Sequence, residues 1–431
     1  MHGIDVESGI THSLHARQSV VARTVKNVLV GKLRNLRQGQ IRMIDGKEEL
    51  LFGERNPACP LKSTIVVHSP DFYRAAILGG TVGAAEGYMS GSWDCTDLTA
   101  LVRIFVRNQE FMDGMESGWA GFAGSVYRLA HFLRRNTRKG GRKNIAAHYD
   151  LGDDFFSLFL DETMTYSCGI FEHAGSTLTE ASVAKYDRIC RKLALRPDDH
   201  VLEIGTGWGG FAVHAAAKYG CRVTTTTISR RQYEYAARRI REEGLEDRVE
   251  LLLSDYRDLS GSFDKLVSIE MIEAVGHQYL DTFFRHCSER LKTDGMMLLQ
   301  AITIPDDRYD LHTRSVDFIK RYIFPGSFIP SIAAISGATA SATDLRMFHL
   351  EDITPHYART LREWRDRFLA RREEARALGY PESFLRMWEY YLCYCEGSFE
   401  ERYNGNVQIV FTKPQCRREP ILPPLPYPAT S

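Results

Sequence analysis

The chain has 431 residues, of which 44% are hydrophobic and 26% charged; this supports a sizeable core and, at this length, two or more domains. Lysine plus arginine and aspartate plus glutamate both number 55, so the bulk charge argues against a nucleic-acid partner. No apolar run reaches the roughly 18 residues that span a bilayer, no signal-peptide pattern opens the chain, and the nine cysteines form no CxxC pair or Cys/His cluster, which predicts reduced cytoplasmic thiols and no metal site.

Residues 1–20 read as a flexible N-terminus. A first domain, 21–133, has mixed text: helical near 19–37, 97–112 and 120–135, strand-like at 39–44 and 62–67. Gly79, Gly80 and Gly83 interrupt the apolar stretch 73–88, as turns or as points of close packing. Residues 1–145 carry 20 Lys/Arg against 13 Asp/Glu, and Arg134, Arg135, Arg138, Lys139, Arg142 and Lys143 fall in one basic linker, 134–145. Such a run is either a solvated connection or a patch for anionic headgroups, each well-placed cation contributing about 1 kcal/mol.

Beyond the linker the rhythm changes. Strands at 201–204, 222–228, 249–253, 263–269 and 295–303 alternate with helices at 211–219, 229–243 and 277–291. This alternation predicts an α/β fold with a mostly parallel sheet. The segment 304–345, with its small-residue run 333–342, breaks the pattern and reads as an inserted cover. A strand at 346–352, helices at 356–377 and 383–397, and a strand at 406–412 complete a second domain, 146–413. The proline-rich tail, 414–431, reads as extended or disordered.

The sharpest local feature is Val201-Leu202-Glu203-Ile204-Gly205-Thr206-Gly207-Trp208-Gly209-Gly210: a strand, a tight glycine turn and a helix start. Glycines let backbone approach a ligand closely, and the helix start offers unpaired N–H groups. A P-loop would need a lysine that is absent after Gly210. A dinucleotide site would place a carboxylate at the end of the second strand, where Thr224-Thr225-Thr226-Thr227-Ile228-Ser229 stands instead. S-adenosylmethionine (SAM) needs neither, and Glu203 suits it, either by orienting the turn or by reaching the ligand's amino group through water.

At these residues the sequence resembles the cyclopropane-fatty-acyl-phospholipid synthase family, including the mycolic acid cyclopropane synthases. The resemblance extends through His148-Tyr149-Asp150-Leu151-Gly152, Thr165-Tyr166-Ser167-Cys168, the glycine turn, Thr226-Thr227-Ile228-Ser229 with Gln232, Asp255-Tyr256-Arg257, Met271-Ile272-Glu273-Ala274-Val275-Gly276 and Tyr357-Ala358-Arg359-Thr360-Leu361. It is strong over about 146–412 and looser over 60–110. The resemblance implies a Rossmann-like class I methyltransferase with a seven-stranded sheet and a smaller mixed α/β N-terminal domain. It places Gly205 and Gly207 against SAM, with Tyr149, Tyr166 and Ser167 over its methionine part, Thr227 and Gln232 near the ribose, and Asp255, Tyr256 and Arg257 around the adenine. It also places a bicarbonate ion among Cys168, Glu273, Gln300, Tyr357 and the backbone near Ile302.

The implied reaction transfers a methylene group to the cis double bond of an unsaturated phospholipid acyl chain, and bicarbonate deprotonates the resulting cation. Aromatic faces stabilise a cation without reacting with it, and Tyr166, Tyr322, Phe324 and Tyr357 are candidates. Gln300 stands where the family carries histidine. Glutamine donates hydrogen bonds but does not titrate, so a methylene- or methyl-branched product, or a furan precursor, is an alternative ending. Methyl transfer to nitrogen or oxygen, or a non-catalytic lipid- or nucleotide-binding role, are further alternatives that the motif set disfavours. The substrate would be reached by transient peripheral contact with the anionic inner face of the cell membrane. The family resemblance also allows a homodimer.

Overall fold

The computed structural model describes residues 23–54, 56–109 and 151–422; the N-terminal 20 residues, the helical text at 120–135, the basic run 134–143, Tyr149 and the end of the tail lie outside them. The chain divides into two compact units. Described residues up to 109 group with 315–323 and 364–403, whereas 151–314, 324–363 and 404–422 form the second unit.

The first unit carries a four-stranded sheet in the order β2-β1-β3-β4, from β1 (Gln40–Asp45), β2 (Glu48–Phe52), β3 (Lys62–Val67) and β4 (Trp93–Cys95). β1 and β2 form a hairpin across Gly46, whose φ of +59° suits glycine. β2 is an edge strand that opens with two exposed glutamates, so it lacks the alternation that marks a half-buried strand. The apolar stretch 73–88 belongs to one helix, Asp71–Met89, bent at Gly80 (φ 58°, ψ −140°). Gly83 is there for close packing, because a Cβ on it would stand 1.9 Å from the Ala75 carbonyl oxygen.

The sequence places one break near 134–145, but the chain returns to the first unit later, and the packing gives the reason. The helix Glu382–Glu400 lies so close to Leu98–Arg107 that a Cβ on Gly397 would meet Val102 Cγ1 at 2.7 Å. Glu401 accepts from Arg103 Nε and Arg107 Nε, both at 2.6 Å. Arg386 donates to Asp94 at 2.6 Å and to the Trp93 carbonyl at 3.0 Å. Buried Glu396 binds Arg365 and Thr99.

The second unit is built on seven strands, β5 (His200–Ile204), β6 (Arg222–Thr227), β7 (Val249–Leu253), β8 (Phe263–Ile269), β9 (Leu291–Thr303), β10 (Arg346–Asp352) and β11 (Gly405–Thr412), in the order β10-β11-β9-β8-β5-β6-β7. The pairs β5–β6, β6–β7, β5–β8 and β8–β9 are parallel, and β11 runs antiparallel to β9 and β10. The expected α/β sheet is therefore present, with reversed β11 set between β9 and the edge strand β10. Alternate residues serve opposite faces. Leu202, Leu266, Leu299 and Ile409 join Phe283 and Phe284 in one core, and Val201, Val267, Leu298 and Val410 join Ile189 and Phe211 in the other. The helix Ile332–Ala342, inside the segment read as a cover, contributes Ile335 and Ala338 to the first of these cores. The strand order reverses direction between β5 and β8, and ligands in such sheets bind beyond the strand ends at that switch.

Candidate active site

The glycine turn leaves β5 at this switch. Gly205, Gly207 and Gly209 have φ of +105°, +53° and +86°, a region that side chains disfavour. Gly205 N–H and Thr206 N–H both donate to the Thr226 carbonyl at 3.1 Å, which ties the turn to the end of β6. A Cβ on Gly205 would meet Met271 Cγ at 3.2 Å, whereas around Gly207 nothing lies within 4 Å. The turn is thus packed on one side and open on the other. Glu203 is buried within the sheet and accepts from Thr225 Oγ1 at 2.6 Å, and Thr225 in turn meets Thr206 Oγ1 at 2.7 Å. Through Thr225 the carboxylate is linked to the turn at Thr206. Burial pushes its pKa up to about 8.

Two polar groups flank the turn at the neighbouring strand ends. Thr227 Oγ1 donates to Gln232 Oε1 at 3.0 Å and accepts from Ser229 N–H at 3.1 Å. Asp255 accepts from Arg257 Nε at 2.8 Å and Nη2 at 2.7 Å, and the guanidinium sits 5.5 Å from the Tyr256 ring centroid. An open glycine turn, an amide–hydroxyl pair and an aromatic–arginine pair at three successive strand ends fit a nucleoside ligand with a zwitterionic tail. Tyr166 packs against Phe156, Phe159 and Phe324, with centroids at 5.3, 6.3 and 6.4 Å. Tyr322 belongs to the first unit, where its hydroxyl meets Glu86.

Ser167 leads to a residue the sequence reading missed. Lys185, fully buried in the helix Leu178–Leu193, donates to Ser167 Oγ at 2.8 Å and lies 4.2 Å from the Tyr186 ring centroid. Burial lowers its pKa to about 8, against the opposing pull of Glu270. The available signal was its spacing, because Lys185 stands four residues from Ala181 and from Ile189 on the apolar face.

Three of the five groups expected to grip bicarbonate, Cys168, Gln300 and Tyr357, are brought together, but around a side chain. Glu270 Oε1 accepts from Cys168 N–H at 3.0 Å, Gln300 Nε2 at 2.9 Å and Asn406 Nδ2 at 2.7 Å, and its Oε2 accepts from Tyr357 OH at 2.8 Å. The donor set therefore does not fit bicarbonate, because the Glu270 carboxylate already occupies its donors. Cys168 acts through its peptide N–H; its buried thiol points to the Gly169 carbonyl, and burial raises its pKa well above the usual range. Glu273 instead accepts from Ile302 N–H at 2.6 Å, while its second oxygen, Oε2, is shielded and has no partner among the described residues. Burial, and then the neighbouring Glu270, push the Glu273 pKa up to about 8.

Behind Glu270 runs a buried polar chain. Gln300 and Gln408 are register partners of β9 and β11. Lys192 Nζ donates to Gln408 Oε1 at 2.8 Å, and Gln408 Nε2 donates to Gln300 Oε1 at 2.9 Å. Lysine has no acceptor, so it fixes which way both amides point and leaves Gln300 Nε2 facing Glu270. Glu351 holds Lys192 at 2.6 Å. Among the described residues no His/Cys/Asp/Glu cluster is suited to a metal ion, and no helix is long and apolar enough to cross a membrane.

This sheet, with its ligand-ready turn after β5, defines a class I SAM-dependent methyltransferase. The solved structure of coclaurine N-methyltransferase shares the fold, with 21% identity and a TM-score of 0.59 over 76% of this chain and 98% of that one. The family model of mycolic acid cyclopropane synthetase matches residues 136–409, and the chain belongs to that family. It is 37% identical over 359 residues to tuberculostearic acid methyltransferase UfaA1 of Mycobacterium tuberculosis, covering 81% of this chain and 83% of that protein. It is 38% identical over 351 residues to the cyclopropane-fatty-acyl-phospholipid synthase of Escherichia coli, covering 81% and 87%. The crystal structure of mycolic acid cyclopropane synthase CmaA1 complexed with SAH and CTAB aligns with a TM-score of 0.59 at 34% identity, over 63% of this chain and 98% of that one. The chain is therefore a SAM-dependent methyltransferase of the cyclopropane synthase family.

Proposed function

We propose that the enzyme modifies the cis double bond of an unsaturated acyl chain in a membrane phospholipid and closes a cyclopropane ring. The observation that carries this reading is a hydrogen-bonded carboxylate held at the end of β8 by the peptide of Cys168, two residues after aromatic-packed Tyr166. When bound, SAM supplies an electrophilic methyl carbon. The protein's task is then to hold it and to manage the charge left on the acyl chain.

Gly205 and Gly207 would receive the cofactor's methionine part together with Tyr149, Tyr166 and Ser167. Thr227 and Gln232 would hold the ribose, and Asp255, Tyr256 and Arg257 the adenine. Placement of the reacting carbons is worth as much as roughly 7–11 kcal/mol. The Tyr166, Phe156, Phe159 and Phe324 rings would keep water from the cation and present π faces to it. The first unit, with the basic run 134–143, would gather lipid at an anionic surface. Purified enzyme given unsaturated phospholipid vesicles and methyl-labelled SAM should place label in the acyl chain as a saturated ring. Label that never enters an acyl chain rejects this reading. Vesicle binding that ignores anionic lipid content and salt rejects the surface role.

A second ending is favoured by Gln300 and by the similarity to a relative named as a tuberculostearic acid methyltransferase. The chain Gln408–Gln300 behind the carboxylate has no titratable group until Lys192. A labelled product that consumes ozone or forms dimethyl disulfide adducts would be a methylene branch instead of a ring.

A further inference from the structure

We propose that the Glu270 side chain is the built-in base of this enzyme and stands in the place of a bound bicarbonate; the inference rests on the lipid-alkene reading above and deepens it. Four donors from four separate segments converge on one carboxylate: Cys168 N–H, Gln300 Nε2, Asn406 Nδ2 and Tyr357 OH. Carboxylate oxygens accept at about two lone-pair sites each. Among the described residues Oε1 takes three donors and is saturated, while Oε2 takes only Tyr357 and keeps a lone pair for a proton. The backbone adds an independent mark. Glu270 has φ +48°, a left-handed conformation that glycine adopts freely and other residues disfavour. A glutamate kept at such a point is held for its side chain.

The proton step balances without any further reactant. The acyl chain carries the transferred CH3 beside a cationic carbon. Glu270 Oε2 forms an O–H bond as one methyl C–H bond breaks. The C–H electron pair moves to the cationic carbon and closes the three-membered ring, and the positive charge is consumed. If a hydride first shifts from the methyl-bearing carbon to its neighbour, the same proton loss gives a methylene branch (C=CH2) on the open chain, so one base serves either product. Glu270 is half-buried, which lets its proton return to water after product leaves. Lys192, Gln408 and Gln300 are positioning residues that aim an amide donor at Oε1.

The test compares wild type, Glu270→Gln and Glu270→Gly with and without bicarbonate, in carbon-dioxide-free buffer, using labelled SAM and unsaturated vesicles. Wild-type turnover should stay within about twofold when bicarbonate is removed, and Glu270→Gln should lose at least about 100-fold, the scale of general-base catalysis, with SAM affinity retained. Glu270→Gly relieves the left-handed backbone and opens an anion-sized gap among the donors. It should bind radiolabelled bicarbonate in equilibrium dialysis, where wild type does not, and recover turnover at least about tenfold with bicarbonate added. Wild type that depends on bicarbonate, Glu270→Gln that turns over like wild type, or Glu270→Gly that binds no bicarbonate would each overturn the proposal. If wild type labels no acyl chain at all, the lipid-alkene reading fails instead, and dialysis of Glu270→Gly still decides the anion site.

Discussion

The two halves of the proposed active site are made in different ways. The half after β5 is backbone: a turn of positive-φ glycines tied by two amides to the Thr226 carbonyl. The half after β8 is side chain: a carboxylate held by residues from β9, β11, the Cys168 segment and the helix Thr354–Ala370. A backbone site depends on conformations that neighbouring residues set. A side-chain site depends on strand register, because a shift of one residue would turn Gln300 and Gln408 away from each other. Cofactor binding and proton removal should therefore fail separately.

The largest separation should come from Gly205→Val, which forces a branched side chain onto φ +105° with Met271 Cγ 3.2 Å from the new Cβ. SAM affinity should fall by at least about 100-fold, the equivalent of roughly 2.7 kcal/mol, as read by calorimetry. Retained affinity would show that the turn does not define the cofactor half. Tyr357→Phe should do the reverse. It removes the Tyr357 donor from Glu270 Oε2, so turnover should fall by about 10- to 100-fold while SAM affinity holds. A loss of both together would deny that the halves are separable.

Gln408→Leu tests the register directly. It leaves Gln300 Oε1 without its donor and removes one acceptor of Lys192, so urea denaturation should show a loss of about 1–3 kcal/mol. Unchanged stability would mean the buried polar chain is not a structural element. The last test is of pH dependence. Glu203 and Glu273 ionise near 4.5 when unfolded and near 8 when folded. Between those values the unfolded chain binds fewer protons than the native one, so their contribution, fully present below 4.5, is lost as pH rises towards 8. Asp187 and Glu351 are lowered by their cationic partners and act below this window, while Lys185 and Lys192, lowered to about 8, act above it with the opposite slope. Glu273→Gln should flatten the decline measured between pH 5 and 8, and an unaltered slope would remove Glu273 from the account.

The sequence alone determined what local chemistry controls. Alternating strands and helices marked the α/β sheet, and Gly205-Thr206-Gly207 marked its ligand turn, because a tight strand-to-helix turn needs glycines at fixed spacing. The family resemblance pointed to Cys168, Glu273, Gln300, Ile302 and Tyr357 as candidate site residues, but their partners came only with the tertiary structure. Glu270 stands three residues before Glu273 and carries no local signal. Its role follows from donors brought together from residues 168, 300, 357 and 406. Lys192 and Gln408 in isolation look like ordinary polar residues, and Lys185 like a misplaced one. The assignment of 364–403 to the first unit was likewise a matter of packing, set by Gly397 against Val102 and by Arg386 reaching Asp94. Backbone conformation is written in adjacent residues, whereas a buried hydrogen-bond network exists only once register and helix packing have brought distant residues to bonding distance.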